Sequence, residues 1–261
     1  MNKEKVIQKL RDDEHYYGKF GRQYFSNSDI GTLINNPEAY GVPSVNNINF
    51  VLGGYFHTCI LEPEKLKKFN IIKSSSRNTK IYKELSEGEI CMLEQEADMM
   101  QVLKDKVMQN DFIRELIQDK DAEYEVPNIG EIEGKMFKCK ADILNHKHKL
   151  IIDLKTTGKS IEEFKYSARN FYYNSQAYIY SKIFGYDFAF VVVTKPTIKA
   201  YQEALQKGVD PTSLVKLGYF DCSDEFLSYG LDNVRQALDN YELYYNTPNF
   251  KPQNFLITKT L

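Results

Sequence analysis

Two short stretches carry side chains able to do acid–base and metal chemistry: Lys140-Ala141-Asp142-Ile143-Leu144 and Ile151-Ile152-Asp153-Leu154-Lys155-Thr156-Thr157. Side chains alternate along a strand, so Asp153 and Lys155 face the same side. Joined as an antiparallel hairpin through His146-Lys147-His148-Lys149, with Asn145 paired to Leu150, the two strands set Asp142 opposite Asp153 and Lys140 opposite Lys155. Directly opposed residues hold their Cβ atoms roughly 4.5–5.5 Å apart. Carboxylates that close repel each other unless a cation sits between them. A hard divalent cation with oxygen ligands, such as Mg²⁺, suits the pair. Held by Asp142 and Asp153, with the Leu154 backbone carbonyl as a further ligand, it would polarise a scissile phosphate and acidify water. Lys155 would orient the attacking water or stabilise charge on phosphorus. The same spacing also describes a half-buried hairpin whose Asp and Lys simply face solvent.

The elements that must position this hairpin are partly legible. Ser26-Asn27-Ser28-Asp29 ahead of Ile30, Leu33 and Ile34 predicts a short capped helix, with turns at Asn35-Asn36-Pro37 and Asn46-Asn47. Gly53-Gly54 is expected to open a helix over 55–61, closed by Pro63. Within 80–120, the spacing of Leu93, Ala97, Met100, Leu103 and Val107 predicts a long amphipathic helix, then a shorter one over 112–117. From Glu123 the pattern becomes strand-like, over 124–126, 136–144 and 150–156. An aromatic-rich helical region over 160–184 precedes a strand at 188–194, ended by Pro196. Residues 197–217 read as an insertion with helical content, 217–221 as a further strand and 227–245 as a closing helix, before a tail with Pro248 and Pro252. This order implies an α/β core with a helical N-terminal portion. A single domain over 1–261 is expected, divided into a mainly helical portion (1–120), a catalytic core (121–196) and an insertion with the C-terminal helix (197–261).

A hydrophobic share of 42% and a charged share of 27% allow a packed core in a globular chain. Aromatics are 19 Tyr and 16 Phe with no Trp, which suits wet, half-buried surfaces and equally an AT-rich genome. A net charge of -2 neither favours nor excludes a polyanion, because a local basic track and an acidic metal site cancel in the total. Cys59, Cys91, Cys139 and Cys222 form no C-x-x-C pair, which argues against zinc and iron–sulfur sites and suits a reduced compartment. The charged start Met1-Asn2-Lys3-Glu4-Lys5 lacks an apolar signal region, and no apolar run is long enough for a membrane span. An intracellular, soluble protein is expected.

Taken together, Asp142 and Asp153-Leu154-Lys155 resemble the D…(D/E)-x-K signature of the PD-(D/E)xK nuclease superfamily. Further segments fall in the order of its RecE-like, phage-type exodeoxyribonuclease branch. Ser26-Asn27-Ser28 with Asn36-Pro37 resembles that branch's N-terminal serine-and-proline segment, and Gly54-Tyr55-Phe56-His57-Thr58-Cys59-Ile60-Leu61-Glu62-Pro63 resembles its G-x-x-H-x-x-x-L-E-P segment. Gln176-Ala177-Tyr178-Ile179-Tyr180 resembles the Q-x-x-x-Y motif on the helix after the lysine strand, and Glu125 stands where the family often has an acidic residue, with Glu123 competing for that role. The likeness runs over about 25–194; residues 197–217 match nothing in it.

The resemblance implies a restriction-endonuclease-like core, a central mixed sheet flanked by helices. It implies Asp142 and Asp153 as metal ligands, His57 near the metal, Lys155 as catalytic lysine, and Gln176 and Tyr180 on the supporting helix face. It implies Mg²⁺, with Mn²⁺ able to substitute, and hydrolysis from ends of linear duplex DNA. Recombination beside a single-strand annealing protein and a homo-oligomeric ring come with the same likeness. The rival readings are a relative acting on single-stranded DNA or as an endonuclease, and a nuclease-like DNA-binding protein without turnover.

Other signals are weaker. Gly158-Lys159-Ser160 resembles the end of a P-loop, but Asp153 occupies the required glycine position, so a turn leading into a helix is expected. His146 and His148 lack a nearby third ligand. Lys138, Lys140, Lys159, Lys165 and Arg169 form either a DNA track or a solvated face.

Overall fold

Strand-forming runs after residue 121 and amphipathic stretches on either side assemble, in the computed structural model, into a mixed five-stranded sheet covered by helices on both faces. The structure describes residues 1–43 and 47–247; Asn46, Pro248 and Pro252, named above, lie outside them. The N-terminal half contains α1 (Lys3–Leu10), α2 (Asp13–Tyr17), α3 (Asn27–Asn35) and α4 (Ile48–Leu61). It continues through β1 (Ile71–Ile72), α5 (Lys80–Ser86), β2 (Met92–Leu93), α6 (Glu94–Met108) and α7 (Asp111–Ile117). The core then runs β3 (Ala122–Ile132), β4 (Lys135–Asn145), β5 (Leu150–Thr157), α8 (Phe164–Asn170), α9 (Tyr173–Phe184) and β6 (Asp187–Thr194). After it come α10 (Ile198–Gln206), β7 (Leu217–Asp221) and α11 (Asp224–Tyr245).

The strand order is β3-β4-β5-β6-β7, antiparallel except where β6 joins β5 in parallel after the α8–α9 crossover. Alternation sorts the two faces. Ile143, Ile152, Leu154, Val191 and Val193 pack with α4 and α6, whereas Leu144, Ile151, Phe188, Phe190 and Val192 pack with α8 and α9. Covered on both sides, β6 is apolar along nearly its whole length. Asp153, one residue out of phase with Leu154, thereby projects toward α9.

Several boundaries differ from the sequence reading, each for a local reason. Helix α4 starts at Ile48, because the Asn47 side chain accepts from the Asn49 and Phe50 N–H groups; Gly53 and Gly54 lie inside it. The long helix expected within 80–120 is divided: α5 and the β1–β2 pair precede α6, whose Glu96 carboxylate takes the Leu93 N–H and a bidentate Arg77. Strand β3 runs on through Pro127, tolerated because β3 is an edge strand. The helical region over 160–184 breaks at Tyr172, which sits at φ 56. A Ser223 cap starts α11 at Asp224. Among the described residues no helix is long and apolar enough to cross a membrane.

Candidate active site

The β4–β5 ladder begins as the sequence implied, with Asn145↔Leu150, Leu144↔Ile151 and Ile143↔Ile152, and then stops. The next register position is not a ladder pair. Instead Asp142 Oδ2 accepts the Leu154 backbone N–H at 2.9 Å, so a side chain replaces the missing carbonyl and the strands part there. Of the two lysines expected to flank the acidic pair, Lys155 does so and Lys140 does not stand across from it. Lys140 turns to Asp13 at 2.6 Å and Glu125 at 3.8 Å, over the Tyr16 and Tyr17 rings, while Lys155 pairs with Asp153.

Backbone geometry sets Glu125 apart from Glu123. Glu125 has φ 49, a left-handed conformation inside a strand, and the ladder skips it between Tyr124↔Ile143 and Val126↔Ala141. Its carboxylate meets His57 and Asp142, with ligand atoms of all three within 4.8 Å of one another. Glu123, of the same nominal parity, pairs instead with His146 and Arg11.

His57 reaches this point from α4. Its Nε2 donates to the Leu154 carbonyl at 2.8 Å, and Nδ1 lies 3.4 Å from Asp142 Oδ2. Burial works against its positive charge, but Asp142 outweighs it and pushes the imidazole up to about 9. Asp142 is subject to the reverse balance: burial raises its carboxyl, and His57 with the Leu154 N–H brings it below the ordinary value. Glu125, half-buried and facing Asp142, is pushed up to about 7, first by desolvation and then by the Asp142 charge.

Asp153 is 2% exposed. Gln176 Nε2 from α9 donates to its Oδ1 at 2.5 Å, and the Lys155 ammonium pairs with Oδ2 at 2.5 Å. Burial raises the Asp153 carboxyl despite Lys155. Burial opposes the Lys155 charge too, but Asp153 more than offsets it and holds the amine protonated, above the Tyr173 ring at 4.7 Å. Tyr180 follows Gln176 by one helical turn; its half-buried side chain puts the phenol against the Lys140 backbone and the ring in edge contact with Phe188 at 5.7 Å. These groups line one cleft of 660 Å³, walled by α2, the start of α3 and α4.

A PDDEXK-like domain of unknown function (DUF3799) matches residues 39–253. The chain belongs to this PDDEXK-like family. No curated protein matches its sequence. A crystal structure named "Putative exonuclease", from Eubacterium rectale, is 15% identical, with a TM-score of 0.61 over 96% of this chain and 95% of that one, which is a likeness of fold. A phage related exonuclease from Haemophilus somnus is 14% identical over 70% of this chain and 93% of that one, with a TM-score of 0.36.

In this PDDEXK-like chain the donor set suits a divalent cation. It brings carboxylate oxygens from Asp142 and Glu125 and a His57 nitrogen within 4.8 Å of one another, while Asp153, buried in the same cleft, is not in that cluster and has Oδ1 on Gln176 and Oδ2 on the Lys155 ammonium. Tyr173, under Lys155, and the α2 residues Asp13, Tyr16 and Tyr17 escaped sequence reasoning, because nothing local links them to residues 142–155. Of the expected basic track, Lys138 is buried with its ammonium on the Tyr16 carbonyl, Lys159 lies exposed in a loop, and Lys165 and Arg169 border another cavity. His146 is held by Glu123 and Tyr186. Ser160 and Glu163 form the turn expected after Gly158.

Proposed function

We propose that the chain is a Mg²⁺-dependent exodeoxyribonuclease, with Mn²⁺ able to substitute, that hydrolyses phosphodiester bonds from the ends of double-stranded DNA. The observation that carries this reading is the meeting of Asp142, Glu125 and His57 within 4.8 Å, beside Asp153 with Lys155 at 2.5 Å. Asp142, Asp153, Glu125 and His57 would hold the cation, with the Leu154 carbonyl as a further donor. When bound, a divalent cation supplies positive charge to phosphate oxygens and acidifies water. Lys155 then adds a fixed positive charge where the phosphoryl group gathers negative charge. Gln176 fixes the Asp153 carboxylate, and Tyr180 packs behind it. Family membership supports phosphodiester chemistry, and the sequence likeness to phage-type exonucleases supports action at strand ends.

The sequence likeness to phage-type exonucleases supports recombination beside a single-strand annealing protein, a homo-oligomeric ring and a cytoplasmic setting. The test uses Mg²⁺ with end-labelled linear duplex, closed circular DNA and single-stranded DNA, alongside Asp153→Ala. Progressive loss of the linear duplex alone, abolished in Asp153→Ala, is expected. Cutting of the circle would sink the end-directed reading, and full activity in Asp153→Ala would sink the site.

A further inference from the structure

Lys165 and Arg169 carry cations whose contacts are with rings. Both are exposed and lie one helical turn apart on α8. Lys165 Nζ is 4.9 Å from the Tyr166 ring centroid, and the Arg169 guanidinium is 5.7 Å from that of Tyr229 on α11. Among the described residues neither is joined to a carboxylate in an ion pair. They border a 340 Å³ cavity between α8, β7 and the start of α11, within the range of about 300–1,000 Å³ that holds small ligands.

The cavity walls are aromatic. Phe164 lies 4.8 Å from Phe220 and 5.6 Å from Phe190, and Phe226 stands 6.4 Å from Phe190. Tyr166 and Tyr229 are 59% and 48% exposed. Rings beside unneutralised cations match the two halves of a nucleotide: a base needs a π-face and a phosphate needs positive charge. A purely apolar ligand would leave the cations unused, and a simple anion would leave the rings unused. Asp221, the last residue of β7, also lines the cavity, and its carboxylate is engaged by the Tyr219 hydroxyl.

The cavity adjoins the catalytic cleft. Tyr173, under Lys155, packs 6.0 Å from Phe164 and 5.6 Å from Phe190, so the two spaces share a wall of rings. Phe171, just after α8 and 61% exposed, already lines the cleft. We propose that this cavity is a second nucleotide subsite, which takes one unpaired nucleotide of a DNA strand. Its base lies among the rings and its phosphate against Lys165 and Arg169. The choice of a DNA strand as occupant rests on the nuclease reading above; the nucleotide chemistry rests on the cavity.

The test is the binding of a short fluorescent oligothymidylate, followed by anisotropy in EDTA so that hydrolysis does not intervene. Tyr166→Ala is expected to weaken binding about fivefold or more, with Tyr166→Phe near wild type. Arg169→Ala and Lys165→Ala are each expected to flatten the log–log salt slope by about 0.7. All are surface changes, and thermal melts check that each variant remains folded. Displacement of the strand by dTMP would assign the subsite to free nucleotide as well; no displacement assigns it to the strand alone. Unchanged binding in all three alanine variants overturns the proposal. Cleavage of linear duplex in Mg²⁺ is scored separately. Variant-sensitive binding without cleavage would remove the nuclease reading and keep the subsite, and cleavage with variant-insensitive binding would do the reverse.

Discussion

The Asp142 carboxylate accepts the Leu154 backbone N–H at 2.9 Å, one position beyond the last β4–β5 pair, Ile143↔Ile152. A side chain acting in place of a backbone acceptor wedges the strands apart and leaves the Leu154 carbonyl to His57. Asp142→Ala therefore removes both a structural acceptor and a cation ligand. A stability loss of about 1–3 kcal/mol is expected from the unpaired N–H, together with loss of stabilisation by Mn²⁺. Asp142→Asn keeps an oxygen for the Leu154 N–H, so it should lose the Mn²⁺ effect with a smaller stability cost. Thermal melts with and without the ion separate the two; an unaltered ion response in either variant would count against the site.

Gln176 is the hydrogen-bond donor to Asp153 Oδ1. Replacing it by Leu frees the carboxylate to rotate and removes a partner that favours its charge. Loss of such a supporting partner commonly costs about 10–100-fold in metal affinity or activity, and calorimetric titration with Mn²⁺ is expected to show a fall of that order. Affinity equal to wild type would mean that Gln176 serves packing alone.

Lys138 gives a pH signature away from the acidic cluster. Burial brings its amine down from 10.5 to about 8, partly countered by Asp29. A folded value below the unfolded one means that the unfolded chain binds more protons between these limits, so the stability contribution rises with pH there and is lost as pH falls through 8. Lys138→Met, unable to charge, is expected to lack this rise. The difference in melting temperature between wild type and variant should shift in favour of wild type between pH 7.5 and 10. A pH-independent difference would show that Lys138 is ordinarily solvated.

Gly230 lets α11 lie against α9. A Cβ there would come within 2.2 Å of the Asn174 carbonyl oxygen, two residues before Gln176. Gly230→Ala should push the helices apart at a cost of about 1–3 kcal/mol. Because α9 carries Gln176, activity is expected to fall at temperatures where the variant is still folded. Chemical denaturation and a temperature series of initial rates measure the two effects; wild-type stability would mean that the helices re-seat freely.

The order of the elements after residue 121, the hairpin around 146–149 and, through short motifs, the candidacy of His57, Asp142, Asp153, Lys155, Gln176 and Tyr180 could be read from sequence, because each is local. Periods of two and 3.6, loop length and short motifs are properties of neighbouring residues. The helix ends at Ile48 and Tyr173 are not legible in sequence, because one side-chain cap or one left-handed residue outweighs a propensity pattern. The site itself was a tertiary matter. Parity gave Glu123 and Glu125 equal standing, and a single backbone rotation at Glu125 separated them. Register put Lys140 across from Lys155, and residues more than 100 positions away, in α2, took Lys140 elsewhere. The ladder's end at Ile143 arises from a carboxylate competing with a carbonyl for one N–H, a balance set by the packing of α4 and α9 on opposite faces of the sheet.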